Sequence, residues 1–299
     1  MKNNILDIEG LKVGSVTDLK LGSGVSVIVF DEPAIVSGSV LGGAPGGRDT
    51  TLLDPSMTVD RADALVLSGG SAFGLDAAGG VQAGLREDGR GYQVGSVRVP
   101  IVPQAILFDL LNGGDKEWGR FSPYLQFGYD AYRNASRDDF ALGSHGAGTG
   151  ATTATFKGGL GSASATTSEG HRVAALVAVN ALGSPTIGQT KSFWAAPFER
   201  DGEFGSVTMP ECFSREHQTM RMKGINMQST TIGMVVTDAV LTKAQAHRLS
   251  ILAHDGLSRA IVPAHLPGDG DTMFAAATCN SGVPSAQGLE ELCHKASLV

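Results

Sequence analysis

The chain is poor in the features by which several protein classes are recognised. It has only three cysteines, at unrelated spacings, which predicts free thiols rather than a disulfide framework or a zinc knuckle. No apolar run approaches the roughly 18 residues of a membrane helix. The N-terminal stretch MKNNILDIEGLKVG also lacks the apolar region of a signal peptide. We therefore expect a cytoplasmic protein with no membrane partner.

Basic charge is also scarce. The 23 lysines and arginines are outnumbered by 30 acidic residues, so the net charge is −7 and the pI is about 5.5. This composition leaves no basic footprint for nucleic acid. None of the seven histidines falls in a zinc-binding spacing. We expect a small-molecule substrate, no nucleic-acid partner, no cofactor and no metal.

Glycine and apolar residues are abundant, with 41 glycines and a hydrophobic fraction of 42%. Short apolar runs bounded by Gly, Asp and Pro predict strands, and a 3.6-residue apolar pattern predicts helices. The predicted strands lie at 25–30, 64–67, 172–179, 228–239 and 272–278, and the predicted helices at about 75–85, 102–111, 243–262 and 285–296. Residues 181–229 are predicted to form a long surface excursion with little regular structure. The interleaved elements predict one α/β domain over residues 1–299, with layered sheets.

The stretch QSTTIGMVVTDA, residues 228–239, places hydroxyl groups at the mouth of a predicted buried strand. A threonine such as Thr230 is ordinary there, because β-branched residues favour strands. Its hydroxyl would become a nucleophile only with a base within hydrogen-bond reach. If the bond between Ser229 and Thr230 were cut, the new α-amine of Thr230, with a pKa of roughly 7.7–8.0, would be such a base. Both interpretations of Thr230 stay open on the residues alone.

Asp269 and Asp271 are separated by one glycine. An Asp-Gly-Asp sequence most often forms a turn with solvated carboxylates. A calcium loop fails on spacing, because Phe274 and Asn280 stand where such a loop needs Gly and Glu. A catalytic pair is the remaining alternative, since residues two apart in an extended segment share a face. The two carboxylates could then hold an ammonium group and orient a hydroxyl.

Lys157 and Asn180 each follow a distinctive segment. Lys157 ends the Gly/Thr-rich stretch GAGTGATTATFK, and Asn180 ends the apolar run that starts at Arg172. A surface lysine and a chain-turning asparagine are the simplest interpretations. An asparagine at a strand end can also present its NH2 group to an oxyanion.

Several blocks, in this order along nearly the whole chain, resemble the L-aminopeptidase/D-esterase (DmpA-like) family, which includes β-aminopeptidases, a pantetheine-cleaving hydrolase and nylon-oligomer hydrolases. The blocks are GGAPGGRDT, LSGGSAFGLDAAGGV, PIVPQAILFDL, GAGTGATTATFK, LVAVNALG, TTIGMVVTDA, AHDGLSRAIVP and DGDTMFA. The resemblance implies a four-layer α-β-β-α sandwich, of the architecture seen in N-terminal-nucleophile hydrolases, and an oligomeric assembly.

The resemblance also implies that the chain cuts itself between Ser229 and Thr230, giving an α-chain (1–229) and a β-chain (230–299) that stay associated. Thr230 would be the nucleophile, with catalytic roles for four further residues: Lys157, Asn180, Asp269 and Asp271. Several relatives have Asn or Gly where this chain has Ser229. Some have Tyr where it has Phe108, so no tyrosine role is carried over.

Three functions follow as hypotheses. The first is a self-processed aminopeptidase that removes N-terminal residues from short peptides, amides or esters through an acyl-enzyme on Thr230. The second is a non-peptide amidase acting on nylon oligomers or pantetheine-like amides. The third, of another class, is a fold relative that stays uncut and binds small ligands.

Overall fold

A computed structural model describes residues 2–217, 219–224 and 229–299. Gln228 of the predicted strand, and residues 218 and 225–227 of the predicted excursion, lie outside this description. The strands are β1 (Leu11–Asp18), β2 (Ser23–Val40), β3 (Gly47–Arg48), β4 (Arg61–Ser68), β5 (Tyr92–Val94), β6 (Val97–Val99), β7 (Gln104–Ile106), β8 (Gly159–Thr166), β9 (Arg172–Asn180), β10 (Thr230–Thr237) and β11 (Thr272–Ala277). The α-helices are α1 (Ala77–Glu87), α2 (Tyr124–Arg133), α3 (Lys243–Ala260) and α4 (Ala286–Ala296).

The long strand β2 joins two halves of the main sheet. Its first part pairs antiparallel with β1 and β4, and its last part pairs antiparallel with β11, with a register irregularity between Val29 and Ala34. The strand order is β3-β7-β4-β2-β11-β10-β9-β8. Within it β10 lies parallel to β11 and antiparallel to β9. One half therefore contains β2 with β1, β3, β4 and β7, and the other contains β2 with the strands from β8 onward.

Among the described residues, three separate hydrophobic cores show that the two halves are stacked between helices. Alternate residues of the same strands enter different cores, as the two-residue period of a strand requires. The middle core holds Phe30, Leu67, Leu176, Met234 and Phe274, among others. The outer faces pack on α1 and α2 through residues such as Val27, Val66 and Val81, and on α3 and α4 through Ala175, Val235, Leu249 and Leu292. Three cores separate four layers, which confirms the predicted α-β-β-α sandwich.

Most strongly patterned elements lie where the sequence predicts them. Helix α3 begins after Thr242, whose side chain accepts a hydrogen bond from the Gln245 N–H in a complete capping box, and it ends before Pro263. The predicted excursion 181–229 contains, in its described part, one short 3-10 helix (Ala196–Phe198) and no α-helix. Among the helices of the described ranges, none is long and apolar enough to span a bilayer.

The helix predicted over 102–111 is wrong. This segment contains β7, which pairs parallel with β4 and antiparallel with β3, followed by irregular backbone. Residues 102–107 are buried, and a short apolar run that is buried throughout has the same pattern in a strand as in a helix. Helix α2 was not predicted, because its sequence is polar and aromatic and its partner, α1, is distant in the chain.

Candidate active site

Thr230 begins β10 in the interior of the sheet. Its backbone pairs with Asn180 of β9, and Ser229 forms a parallel bridge with Asp269 just before β11. Thr230 shares a strand face with Ile232, a residue of the middle core, so its side chain points between the two halves of the sheet. It is only 4% exposed. The fold thus brings Thr230, Asn180 and the Asp269–Asp271 loop to one end of three adjacent strands.

The carbonyl oxygen of Ser229 accepts two hydrogen bonds. Thr230 Oγ1 donates to it over 2.7 Å, and the Gly270 N–H donates over 2.9 Å. Since a C=O bond is about 1.2 Å long, Thr230 Oγ1 lies no more than about 4 Å from the carbonyl carbon of Ser229. A hydroxyl beside its own upstream carbonyl and an N–H already bound to that carbonyl oxygen are two features that attack on the peptide bond requires.

Gly270 is required by the close approach of its backbone to Thr230. A Cβ atom at position 270 would lie 2.7 Å from Thr230 Oγ1 and 2.6 Å from the Ala44 carbonyl oxygen. The loop that contains Ala44 is bound to the same place, because the Ala44 N–H donates to the Asp269 carbonyl over 2.7 Å. The glycine-rich stretch after β2 therefore fixes the loop that carries the two aspartates.

The two aspartates hold the backbone around Thr230 and make no hydrogen bond to its side chain within the described residues. Asp271 Oδ1 accepts from the Thr231 N–H over 2.8 Å, and Asp271 Oδ2 accepts from the His265 N–H over 2.9 Å. Asp269 accepts from the N–H groups of Leu182 and Leu266. Burial, reinforced by the charge of Asp271, raises the pKa of Asp269 to about 6.

His265 is a site residue that the sequence did not indicate. Its Nδ1 lies 2.8 Å from Asp271 Oδ2, and its ring contacts that of His254 with centroids 4.8 Å apart. Burial lowers the pKa of His265, but the hydrogen bond and charge of Asp271 outweigh it, so the net shift is upward. Burial lowers the pKa of His254 to about 4. A lone His six residues before an Asp carries no motif, so only the folded loop identifies it.

Asn180 is held by three groups. Its Oδ1 accepts from the Thr152 N–H over 3.0 Å and from Lys223 Nζ over 2.9 Å, and its Nδ2 donates to the Phe108 carbonyl over 2.8 Å. An amide NH2 group carries two hydrogens. The second one has no partner within the described ranges, so Asn180 retains a donor that can serve an oxyanion.

Two lysines lie in this region, and the sequence singled out only one of them, Lys157. The Lys157 side chain is exposed and makes no hydrogen bond or ion pair with the described residues. Its backbone bridges to Thr152, the residue whose N–H binds Asn180. Lys223 is instead the buried lysine of the site, and no sequence pattern indicates it because it stands in an irregular segment. Burial lowers the pKa of Lys223 to about 8, opposed by the charge of Asp269.

In the described part of the chain, no group of three or more His, Cys, Asp or Glu residues could hold a metal ion. The site consists of hydroxyl, carboxylate, amide, imidazole and amine groups. These can transfer protons and stabilise an oxyanion, which suits acyl transfer.

Known proteins resemble this chain in sequence and in fold. The profile of peptidase family S58 matches residues 3–298. An uncharacterised aminopeptidase of Mycobacterium tuberculosis (strain ATCC 25618 / H37Rv) is 41% identical over 298 residues, covering 96% of this chain and 85% of the relative. A 6-aminohexanoate-oligomer endohydrolase of Kocuria sp. (strain KY2) is 26% identical, covering 94% of this chain and 77% of the relative.

Two solved structures share the fold. The β-aminopeptidase of Burkholderia sp. superimposes with a TM-score of 0.73 at 20% identity, covering all of this chain (100%) and 84% of that structure. The L-aminopeptidase D-Ala-esterase/amidase of Ochrobactrum anthropi, described as a variant of the Ntn hydrolase fold, gives a TM-score of 0.69 at 18% identity, covering 99% and 84%.

Proposed function

Because the chain belongs to peptidase family S58, we propose that it cuts itself between Ser229 and Thr230 and then hydrolyses amide bonds with Thr230 as the nucleophile. The chain is a hydrolase of the aminopeptidase and amidase type with an N-terminal-nucleophile fold. The observation that carries the proposal is the hydrogen bond of 2.7 Å from Thr230 Oγ1 to the Ser229 carbonyl oxygen.

The first reaction is an N-to-O acyl shift. Thr230 Oγ1 attacks the Ser229 carbonyl carbon, the peptide C–N bond breaks, and an ester forms while the hydroxyl proton passes to the leaving nitrogen. The developing oxyanion is stabilised by the Gly270 N–H, which already binds that oxygen, and by the second N–H of Asn180 Nδ2. Water then hydrolyses the ester, leaving a carboxylate on Ser229 and a free hydroxyl and α-amine on Thr230.

The second reaction uses the new α-amine of Thr230 as the base for its own hydroxyl. The hydroxyl gives its proton to the α-amine and attacks the carbonyl carbon of a substrate amide or ester. The bond to the leaving amine or alcohol breaks as the protonated α-amine returns the proton to it, and an acyl-enzyme forms. Water then hydrolyses the acyl ester, which releases the product acid and restores the Thr230 hydroxyl. Asp269 and Asp271, on the loop beside Thr230, orient the amine through their charge and through the backbone that they hold. Lys157 keeps its predicted role of favouring the neutral amine; the bridge of its backbone to Thr152 supports a place near Asn180.

The substrates that we propose are short peptides, from which the enzyme removes the N-terminal residue. Relatives named as aminopeptidases support this proposal. A non-peptide amidase is the second candidate, and the relative named a 6-aminohexanoate-oligomer endohydrolase favours it. A cytoplasmic location and a homo-oligomeric assembly, expected from the sequence and its family resemblance, belong to the same proposal.

Intact-mass measurement of the purified chain tests the first reaction. We expect two fragments that meet after Ser229 in the wild type, and a single uncut mass for Thr230→Ala. A single uncut mass in both would mean that the α-amine base is never formed, and this result would favour the ligand-binding hypothesis. The cut protein is then assayed on amino-acid p-nitroanilides and on 6-aminohexanoate oligomers. Turnover of the anilides alone identifies an aminopeptidase, and turnover of the oligomers alone identifies the second candidate.

A further inference from the structure

Lys223 is a buried cation in the segment just upstream of the proposed cut. Lys223 as a whole is only 8% exposed. Its Nζ donates to Asn180 Oδ1 over 2.9 Å and to the Asn180 carbonyl over 3.3 Å, and its N–H donates to the Leu182 carbonyl. No carboxylate of the described residues lies within ion-pair distance of it. An unpaired buried ammonium is unfavourable for folding, and an apolar side chain of similar length would cost less.

Lys223 is one of three groups that fix the orientation of the Asn180 amide. Two donors, the Thr152 N–H and Lys223 Nζ, meet at Oδ1, while the Phe108 carbonyl accepts from Nδ2. Turning the amide over would set its NH2 group against those two donors and its oxygen against a carbonyl. Lys223 and Thr152 therefore keep N–H groups, rather than an oxygen, on the side of Asn180 opposite to them.

We propose that Lys223 is a positioning residue of self-cleavage, which locks the Asn180 amide so that it offers an N–H to the tetrahedral intermediate at Ser229. The inference rests on the proposed self-cleavage and names a residue that the family resemblance did not include. Lys223 acts through Asn180, and its charge adds to the stabilisation of the negative intermediate in a water-poor site. The structure is that of the uncut chain, so the contact between Lys223 and Asn180 is already made before cleavage.

The charge on Lys223 gives the role a pH signature. Burial lowers the pKa of Lys223 to about 8, while the charge of Asp269 opposes the shift. The charged groups beyond Asp269 are Asp271 and His265, which interact with Asp269. A neutral amine can still donate two hydrogen bonds to Asn180, but it no longer stabilises an oxyanion by charge. The advantage of the wild type over an uncharged variant should therefore shrink as the pH rises through about 8.

The test follows cleavage of the full chain after a pulse of cell-free synthesis, with Lys223→Met, Lys223→Ala and the control Lys191→Met, which alters an exposed lysine of the same excursion. We expect Lys223→Met to slow cleavage at pH 7 at least tenfold, a rough figure below that for loss of an oxyanion donor. We expect Lys191→Met to match the wild type. Propylamine should restore cleavage of Lys223→Ala, while 1-propanol, of the same size but neutral, should not. Melting curves in the Thr230→Ala background verify that the variants fold.

Three results would overturn the inference: cleavage of Lys223→Met at the wild-type rate at every pH, equal rescue by 1-propanol and propylamine, or no rescue by propylamine. In each case the wild type is cut and the proposed function stands. A wild type that stays uncut would overturn both the proposed function and the role of Lys223.

Discussion

At the scale of single residues, the site depends on how closely the backbone of one loop approaches one side chain. Gly270 contributes an N–H to the Ser229 carbonyl and leaves room for Thr230 Oγ1. Both contributions come from main-chain atoms and from the absence of a side chain. Neither contribution leaves a recognisable pattern in the sequence. On the residues alone, Asp-Gly-Asp can therefore be interpreted as an ordinary turn.

Gly270→Ala should abolish most self-cleavage, because the new Cβ would lie 2.7 Å from Thr230 Oγ1. A displacement of about 1 Å at a reacting atom can cost roughly a hundredfold in rate, and we expect a loss of that order. The measurement is the fraction of cut chain against time after synthesis. Gly268→Ala is the matched control in the same loop, because a Cβ there would meet nothing within 4 Å and cleavage should be unchanged. Equal rates for the two variants would contradict this account of Gly270.

Asp269 predicts a pH dependence of stability. Its pKa in the folded chain is about 6, above its ordinary value of 3.8, because burial and Asp271 disfavour the charged form. The folded state therefore binds the proton more tightly than the unfolded state, and stability falls as the pH rises from about 4 to about 6. The two pKa values correspond to a loss of about 2–3 kcal/mol when fully developed.

Urea melts of Thr230→Ala from pH 4 to pH 7 measure this loss, with Asp269→Asn in the same background as the control. The non-titrating variant should show a flatter dependence of the free energy of unfolding on pH in that window. Parallel curves for the two proteins would mean that Asp269 has a near-ordinary pKa in the folded chain.

At the scale of elements, helices α1 and α2 show packing that depends on single glycines. A Cβ at Gly80 of α1 would lie 1.9 Å from the Leu125 carbonyl oxygen of α2, and one at Gly128 of α2 would lie 1.9 Å from the Ala77 carbonyl oxygen. The glycines let the two backbones touch, which allows this helix pair to cover one face of the sheet. In the sequence the same residues weaken the helical pattern, because glycine is a poor helix former.

Gly80→Ala should lower the free energy of unfolding by about 1–3 kcal/mol or more, because the new Cβ forces two packed backbones apart. Its neighbour Gly79 is the matched control, because a Cβ there would meet only the flexible ends of Leu125 and Arg48, at 3.1 and 3.4 Å. Gly79→Ala should be neutral or stabilising by up to about 1 kcal/mol, from helix propensity alone. Urea melts of both variants in the Thr230→Ala background give the difference, and a cost for Gly79→Ala equal to that for Gly80→Ala would refute the backbone-contact explanation.

At the scale of the whole molecule, the proposed cut falls within a continuous sheet. Residues 230–299 supply β10, β11, α3 and α4, and the two strands lie side by side between β2 and β9 of the remaining chain. Ile232, Met234 and Phe274 belong to the middle core together with residues from β2, β4 and β9. Separation of the two pieces would expose this core along its length and break two strand interfaces.

The cut protein should therefore behave as one particle. We expect the α-chain and β-chain to co-elute in native size-exclusion chromatography at the volume of uncut Thr230→Ala, and to separate only in denaturant. Elution of a separate small fragment under native conditions would show that β10 and β11 do not hold the pieces together.

The sequence by itself determined the strongly periodic elements and the chemically distinctive residues. The capped helix α3, strands β9, β10 and β11, and the candidates Thr230, Asn180, Asp269 and Asp271 can all be named from local pattern, motif order and family resemblance. Local pattern suffices there because caps, periodicity and turn residues act within a few positions along the chain.

Only the tertiary structure decided the rest. It turned the predicted helix at 102–111 into strand β7, because pairing with β3 and β4 outweighs an ambiguous apolar run. It left the Lys157 side chain exposed, and it set Lys223 and His265 beside Asn180 and Asp271. These residues come from different loops. The packing of the four layers brings the loops together, and no local feature of their sequences predicts it.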